Sequence, residues 1–176
     1  MANIVQRDSS TTDEKKVHKF LSFIINQEVY AIEILKIREI VEFGDITEVP
    51  MMPDFVCGAI NLRGRAIPVL DLALRLGKPA FDASRRTCVL VVEMSSGNHS
   101  MDVGVIVDAV NRVMDIPSSD MEPPPTFGGK IKSDFITGMG KVDGSFVLVL
   151  DVDRVMTFDD LNELASMSSE KEDVPH

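Results

Sequence analysis

One segment of this chain occurs twice: residues 54–72 reappear, without a gap, 80 positions later as residues 134–152. The copies agree at Asp54/Asp134, Phe55/Phe135, Gly58/Gly138, Gly64/Gly144, Val69/Val149, Leu70/Leu150 and Asp71/Asp151; unrelated sequence of that length would match about once. The spacing is too long for a solenoid period, so it predicts two similar small domains rather than an array. Function should then be sought where the copies differ.

The 176 residues, 44% apolar and 26% charged, describe a globular chain of one ordinary or two small domains. No apolar run approaches the roughly 20 residues of a bilayer span, and the first residues lack the apolar core of a signal peptide. A cytoplasmic location without direct membrane insertion is expected. The net charge of −10 opposes binding to nucleic-acid phosphates or anionic lipid and favours protein partners. Cys57 and Cys88 each lie in an apolar run and read as small buried thiols. His18, His99 and His176 have no spacing that suggests a metal site, and no Cys/His pair reads as nucleophile and base. No metal or cofactor is expected.

Residues 1–16 are polar and read as a mobile arm. From Val17, the runs 20–25 and 29–32 form a predicted hairpin around Asn26-Gln27-Glu28. Residues 34–41 fit either a helical face or a strand. In the second half, 88–92 and 101–107 form another hairpin, and setting 31–41 beside 104–114 preserves the apolar positions. Each half thus runs hairpin, third strand, proline-bearing loop, duplicated hairpin. Five short strands per half is a small-barrel count. The fold class expected is mainly β, two tandem five-stranded barrels with short helices. Asp71 reads as the cap and Gly77 as the stop of one such helix. The predicted boundaries are 17–83 for the first barrel and 84–157 for the second. Residues 158–176 read as a short helical turn and a disordered acidic tail.

The copies part at the tip of the duplicated hairpin. Lys141-Val142-Asp143-Gly144 carries Asp-Gly, an ordinary hairpin signal that needs no function. Asn61-Leu62-Arg63-Gly64 suits a type I turn with Asn61 first and Gly64 as a closing bulge. That turn would place Leu62 and Arg63 centrally, where an apolar residue and an Arg displayed together have the character of an interface anchor.

Phe55-x-x-Gly58, Asn61-Leu62-Arg63-Gly64 and Ile67-Pro68-Val69-Leu70-Asp71-Leu72 together resemble the CheW family of chemotaxis coupling proteins. Phe20-Leu21-x-Phe23, Tyr30-x-Ile32-x-Ile34-Leu35-Lys36-Ile37-x-Glu39-Ile40 and Phe135-Ile136-Thr137-Gly138-Met139-Gly140 fall in that family's order, and the resemblance covers roughly residues 18–157. It implies two SH3-like barrels forming one CheW-like domain, a non-enzymatic adaptor, and a monomer when isolated. The implied partners are the regulatory domain of the CheA histidine kinase and the cytoplasmic tip of methyl-accepting chemoreceptors, in membrane-associated arrays. By the same resemblance Asn61 to Gly64 would contact the receptor, with Arg63 as anchor. Ile37, Glu39, Gly58 and Thr87 would border the receptor groove. Ile37 also fits a core-facing position, and Gly58, shared with Gly138, also fits close strand packing. Phe127, between three prolines and two glycines, is the candidate kinase or array contact.

Three rival readings follow from the sequence. A CheW-like adaptor could serve a pathway with an output other than motility. An enzyme would use Asp71/Asp151 or Asp54/Asp134, but equivalent places in two repeats suit caps and turns better than one shared site. A nucleic-acid-binding barrel pair conflicts with the acidic charge, the single Tyr and the absence of Trp. The length leads us to expect no phosphoacceptor receiver domain after the barrels, unlike the CheV architecture.

Overall fold

The computed structural model describes residues 17–96, 98–124 and 135–155. The described residues form eleven strands: β1 Val17–Ile25, β2 Glu28–Glu33, β3 Ile37–Glu42, β4 Val56–Leu62, β5 Arg65–Asp71, β6 Cys88–Ser96, β7 His99–Val107, β8 Ala109–Pro117, β9 Met121–Glu122, β10 Ile136–Val142 and β11 Ser145–Leu150. Two single-turn helices follow the duplicated hairpins, α1 Leu72–Arg75 and α2 Val152–Val155. The ambiguous stretch divides into a 3-10 turn at Ile34–Lys36 and then β3. The predicted arm (1–16) and tail (158–176) lie outside the described residues.

The duplication is visible in backbone detail. In both copies the hairpin register slips at the same place, between Val56 and Gly58 and between Ile136 and Gly138. Both copies end in an Asp cap: Asp71 Oδ1 accepts from Ala73 N at 3.1 Å, and Asp151 Oδ1 from Asp153 N at 3.0 Å. Asp71 Oδ2 also accepts from Phe81 N at 3.0 Å, so both oxygens of this buried carboxylate serve the backbone. The Arg75 guanidinium lies over both copies of the duplicated phenylalanine, 4.6 Å from the Phe55 ring and 5.3 Å from that of Phe135. Its Nε donates to Val155 O at 2.9 Å, so one side chain ties the two copies together by cation–π contact.

The sheets do not follow the predicted boundary between residues 83 and 84. One sheet has the order β8-β1-β2-β11-β10-β9 and the other β3-β6-β7-β5-β4. Each therefore takes its third strand and duplicated hairpin from one half of the chain and its first hairpin from the other. The exchanged hairpins are held by parallel pairings, β11 with β2 and β5 with β7. The sequence halves and the spatial sheets are thus different units.

Neither ladder closes into a barrel, but both curl. β8 and β9 lie at opposite edges of their sheet yet are joined by only Ser118–Asp120. In the other sheet the chain beyond β3 returns at Thr47 to bridge Ala59 on the far edge strand β4. Each curl encloses its own apolar cluster, Phe20, Ala31, Met114, Ile116, Val147 and Val149 in one and Val69, Val89 and Ile106 in the other. The largest cluster includes residues of both sheets, among them Phe23, Ile32, Leu70, Leu90, Val92, Val105 and Leu150. Alternation along β6 explains the division: Leu90, Val92 and Met94 face this shared core, while Val89 faces the curl.

Candidate functional site

The two tips share one backbone. Leu62 pairs with Arg65 and Val142 with Ser145, which leaves Arg63-Gly64 and Asp143-Gly144 as two-residue loops. All four residues have positive φ: 54° and 84° in the first copy, 51° and 79° in the second. Both are therefore type I′ turns, and the type I turn expected at residues 61–64 is not formed. The right-handed twist of paired strands selects the primed turn regardless of its side chains. Asn61 keeps its predicted turn role, since its Oδ1 accepts from Gly64 N at 2.9 Å. Asp suits the first central position, whereas Arg in this left-handed region carries a penalty of roughly 1 kcal/mol.

Above each tip lies an ion pair to the third strand of the same half, with opposite polarity in the two copies. Arg63 Nη2 donates to Glu39 Oε1 on β3 at 2.8 Å. At the equivalent place Arg112 Nη2 on β8 donates to Asp143 Oδ2 at 3.0 Å. The first tip thus displays a cation beside an anion on the sheet, and the second displays the reverse.

Around Arg63 the charges continue across the sheet. Arg38 on β3 pairs with Glu93 on β6 and lies 3.6 Å from Asp102 on β7; Arg65 on β5 reaches Asp102 at 3.2 Å. Glu93 and Asp102 are register partners, so the four side chains form a row over β3-β6-β7-β5. With Arg63, Glu39, Leu62 and Met101 they line a cleft of about 500 Å³ at one mouth of the curl. The arginines stand highest: the side chains of Arg38, Arg63 and Arg65 are 55%, 75% and 62% exposed, against 27%, 33% and 17% for Glu39, Glu93 and Asp102. The cleft is neutral in sum but presents guanidinium groups outward.

Of the residues singled out in the sequence, Asn61, Leu62, Arg63, Gly64 and Glu39 come together here. Three do not join them. Ile37 packs against the shared core, separated from Glu39 by a bulge at Arg38. Gly58 is buried, with φ 148°; a Cβ there would overlap Thr47 O and sit 2.9 Å from Ile46 Cγ2. Gly138 is in the same position, where a Cβ would meet Glu122 O at 2.6 Å, so the shared glycine lets the returning chain close on the edge strand. Thr87 is buried, its Oγ1 accepting from Ser84 N at 2.8 Å, and lines a separate recess with Glu42 and Phe43. Phe127 lies outside the described residues. Arg38, Arg65, Glu93 and Asp102 were missed because their row depends on strand register; alternating charge on β3 was the available signal.

The duplicated architecture and the Asn61–Gly64 tip coincide with a family match: the family model for the CheW-like domain fits residues 19–159. The chain belongs to the CheW family. The chemotaxis protein CheW of Thermotoga maritima is 35% identical over 147 residues, covering 82% of this chain and 91% of that protein. CheW of Helicobacter pylori is 33% identical over 152 residues, covering 86% and 88%. The crystal structure of the scaffolding protein TtCheW from Thermoanaerobacter tengcongensis superposes with a TM-score of 0.73 at 31% identity, covering 81% of this chain and 94% of that one. The two curled sheets are therefore the paired SH3-like units of the CheW fold, and the chain is a chemotaxis adaptor. Among the described residues no helix is long and apolar enough to cross a membrane.

Proposed function

We propose that this CheW-family chain couples the CheA histidine kinase to methyl-accepting chemoreceptors, with the Arg63 tip as the receptor-side anchor. It does so without chemistry of its own, by contacts that differ between the kinase's activity states, and is recruited to membrane-associated receptor arrays by those contacts. The carrying observation is that Arg63 holds a left-handed φ of 54° where its counterpart, in the same turn, is Asp143. Strained backbone at an exposed tip points to function, and of the non-glycine positive-φ residues among those described (Asn26, Gln27, Met51, Arg63 and Asp143) only Arg63 places a cation there. One exposed ion pair to Glu39 contributes about 0–1 kcal/mol, and the guanidinium, with five N–H donors, keeps hydrogen-bonding capacity for a partner.

Arg63→Ala tests this reading. Alanine meets the same left-handed penalty, so only the exposed pair is lost and unfolding should shift by less than about 1 kcal/mol. Receptor-dependent kinase stimulation, measured with purified components, should fall sharply. Full stimulation by the variant would sink the anchor assignment.

A further inference from the structure

We propose that the acidic segment after Val155, residues 156–176, docks on the arginine-rimmed cleft and competes there with the receptor. The contact itself follows from charge and position; only its effect on the receptor rests on the reading above. In a chain of net charge −10, this cleft raises three guanidinium groups above their carboxylate partners. Arg63 and Arg65 each hold one carboxylate, which leaves N–H donors for further acceptors. The segment supplies them: Asp159, Asp160, Glu163, Glu170, Glu172 and Asp173, against the single base Lys171.

The segment begins after Val155, two residues beyond Asp153, and Val155 O accepts from Arg75 Nε at 2.9 Å. Asp153 accepts from Lys36 Nζ at 2.9 Å and from Ser95 N at 2.8 Å, each two residues along the chain from Arg38 or Glu93. Two strand positions are about 7 Å, and the row from β3 to β5 spans about 15 Å. The 21 residues of the segment reach up to roughly 70 Å when extended, so it is long enough to cross the row from that anchor. Phe158 and Leu161, interspersed with the first acids, match the half-buried Leu62 and Met101 of the cleft. Tethering raises the local concentration of the segment to the millimolar range, so an intrinsic affinity as weak as millimolar gives substantial occupancy. The tether would then weaken receptor binding by about two- to fivefold.

The test is the full chain with Asp159, Asp160 and Asp173 changed to Asn and Glu163, Glu170 and Glu172 changed to Gln. Side-chain Nε–Hε signals are recorded by NMR for both proteins. The expected result is displacement of the Arg38, Arg63 and Arg65 signals, with Arg112 unmoved and no dependence on protein concentration. A receptor-tip fragment should bind the neutralised chain about two- to fivefold more tightly. Unchanged arginine signals would overturn the proposal whatever the receptor does, and signals that move only at high protein concentration would overturn it in favour of a second copy. Displaced signals with unchanged receptor affinity would uphold the contact and remove the receptor from this cleft.

Discussion

Replacing Gly58 with Ala should destabilise the fold severely while leaving the Arg63 cleft chemically intact. The magnitude follows from three terms. The added Cβ would lie 2.8 Å from Thr47 C and 2.9 Å from Ile46 Cγ2, and closer still to Thr47 O. Relieving such overpacking costs about 1–3 kcal/mol. A non-glycine residue at φ 148° adds strain of about 1–3 kcal/mol. The reciprocal Thr47–Ala59 hydrogen bonds, at 2.9 and 2.8 Å, would be stretched or broken, at about 1 kcal/mol each. Because backbone movement relieves the first two terms by sacrificing the third, we expect about 3–5 kcal/mol rather than their full sum. For a chain of this length that is a fall in Tm of roughly 6–20 °C. Gly64→Ala is the matched control, since its φ is also positive but nothing lies within 4 Å of the added atom; it should cost about 1–2 kcal/mol. Unfolding is followed by circular dichroism, and receptor coupling is measured at a temperature where both variants are folded. A Gly58→Ala protein with unaltered Tm but lost coupling would refute the packing argument and return Gly58 to the partner surface.

Two further outcomes follow from the same structure. Residues 17–83 produced alone should lack cooperative unfolding, because β3, β5 and β4 depend on β6 and β7 at the centre of their sheet; a sigmoidal melt of that fragment would contradict it. Glu28 is held below its usual carboxylate range, first by its hydrogen bond from Lys78 and then by that from Tyr30. Its stabilising share is therefore present above the ordinary carboxylate pKa and lost as pH falls through the depressed one. Glu28→Gln should flatten that part of the acid-unfolding curve, as read from denaturant midpoints across the acid range.

The strands were legible in the sequence because apolar alternation and turn residues are local signals, and the repeat let one half support the other. Hairpin exchange was not legible. Nothing in 20–32 or 88–107 states which duplicated hairpin it will lie beside, since parallel pairings such as Val69 with Gly104 join residues far apart in the chain. The Arg63 turn was misread although the answer stood in the other copy: Asp143-Gly144 announces a primed turn, and a common backbone imposes it on Arg63-Gly64. The ion pairs were half legible. Aligning 31–41 with 104–114 sets Glu39 against Arg112, and the repeat sets Arg63 against Asp143, but only the fold shows that these two oppositions are contacts.

The inverted pairs also answer a problem that duplication creates. Two similar sheets with the same turn would offer a partner two similar docking edges. Discrimination then requires that one edge repel what the other attracts. An acidic partner drawn to Arg63 meets Asp143 at the equivalent tip, and a basic one meets the reverse. Leu62 and Val142 flank the tips in the same register and do not separate them. Charge at the first turn position does, and the tolerated strain at Arg63 is what that separation requires of the fold.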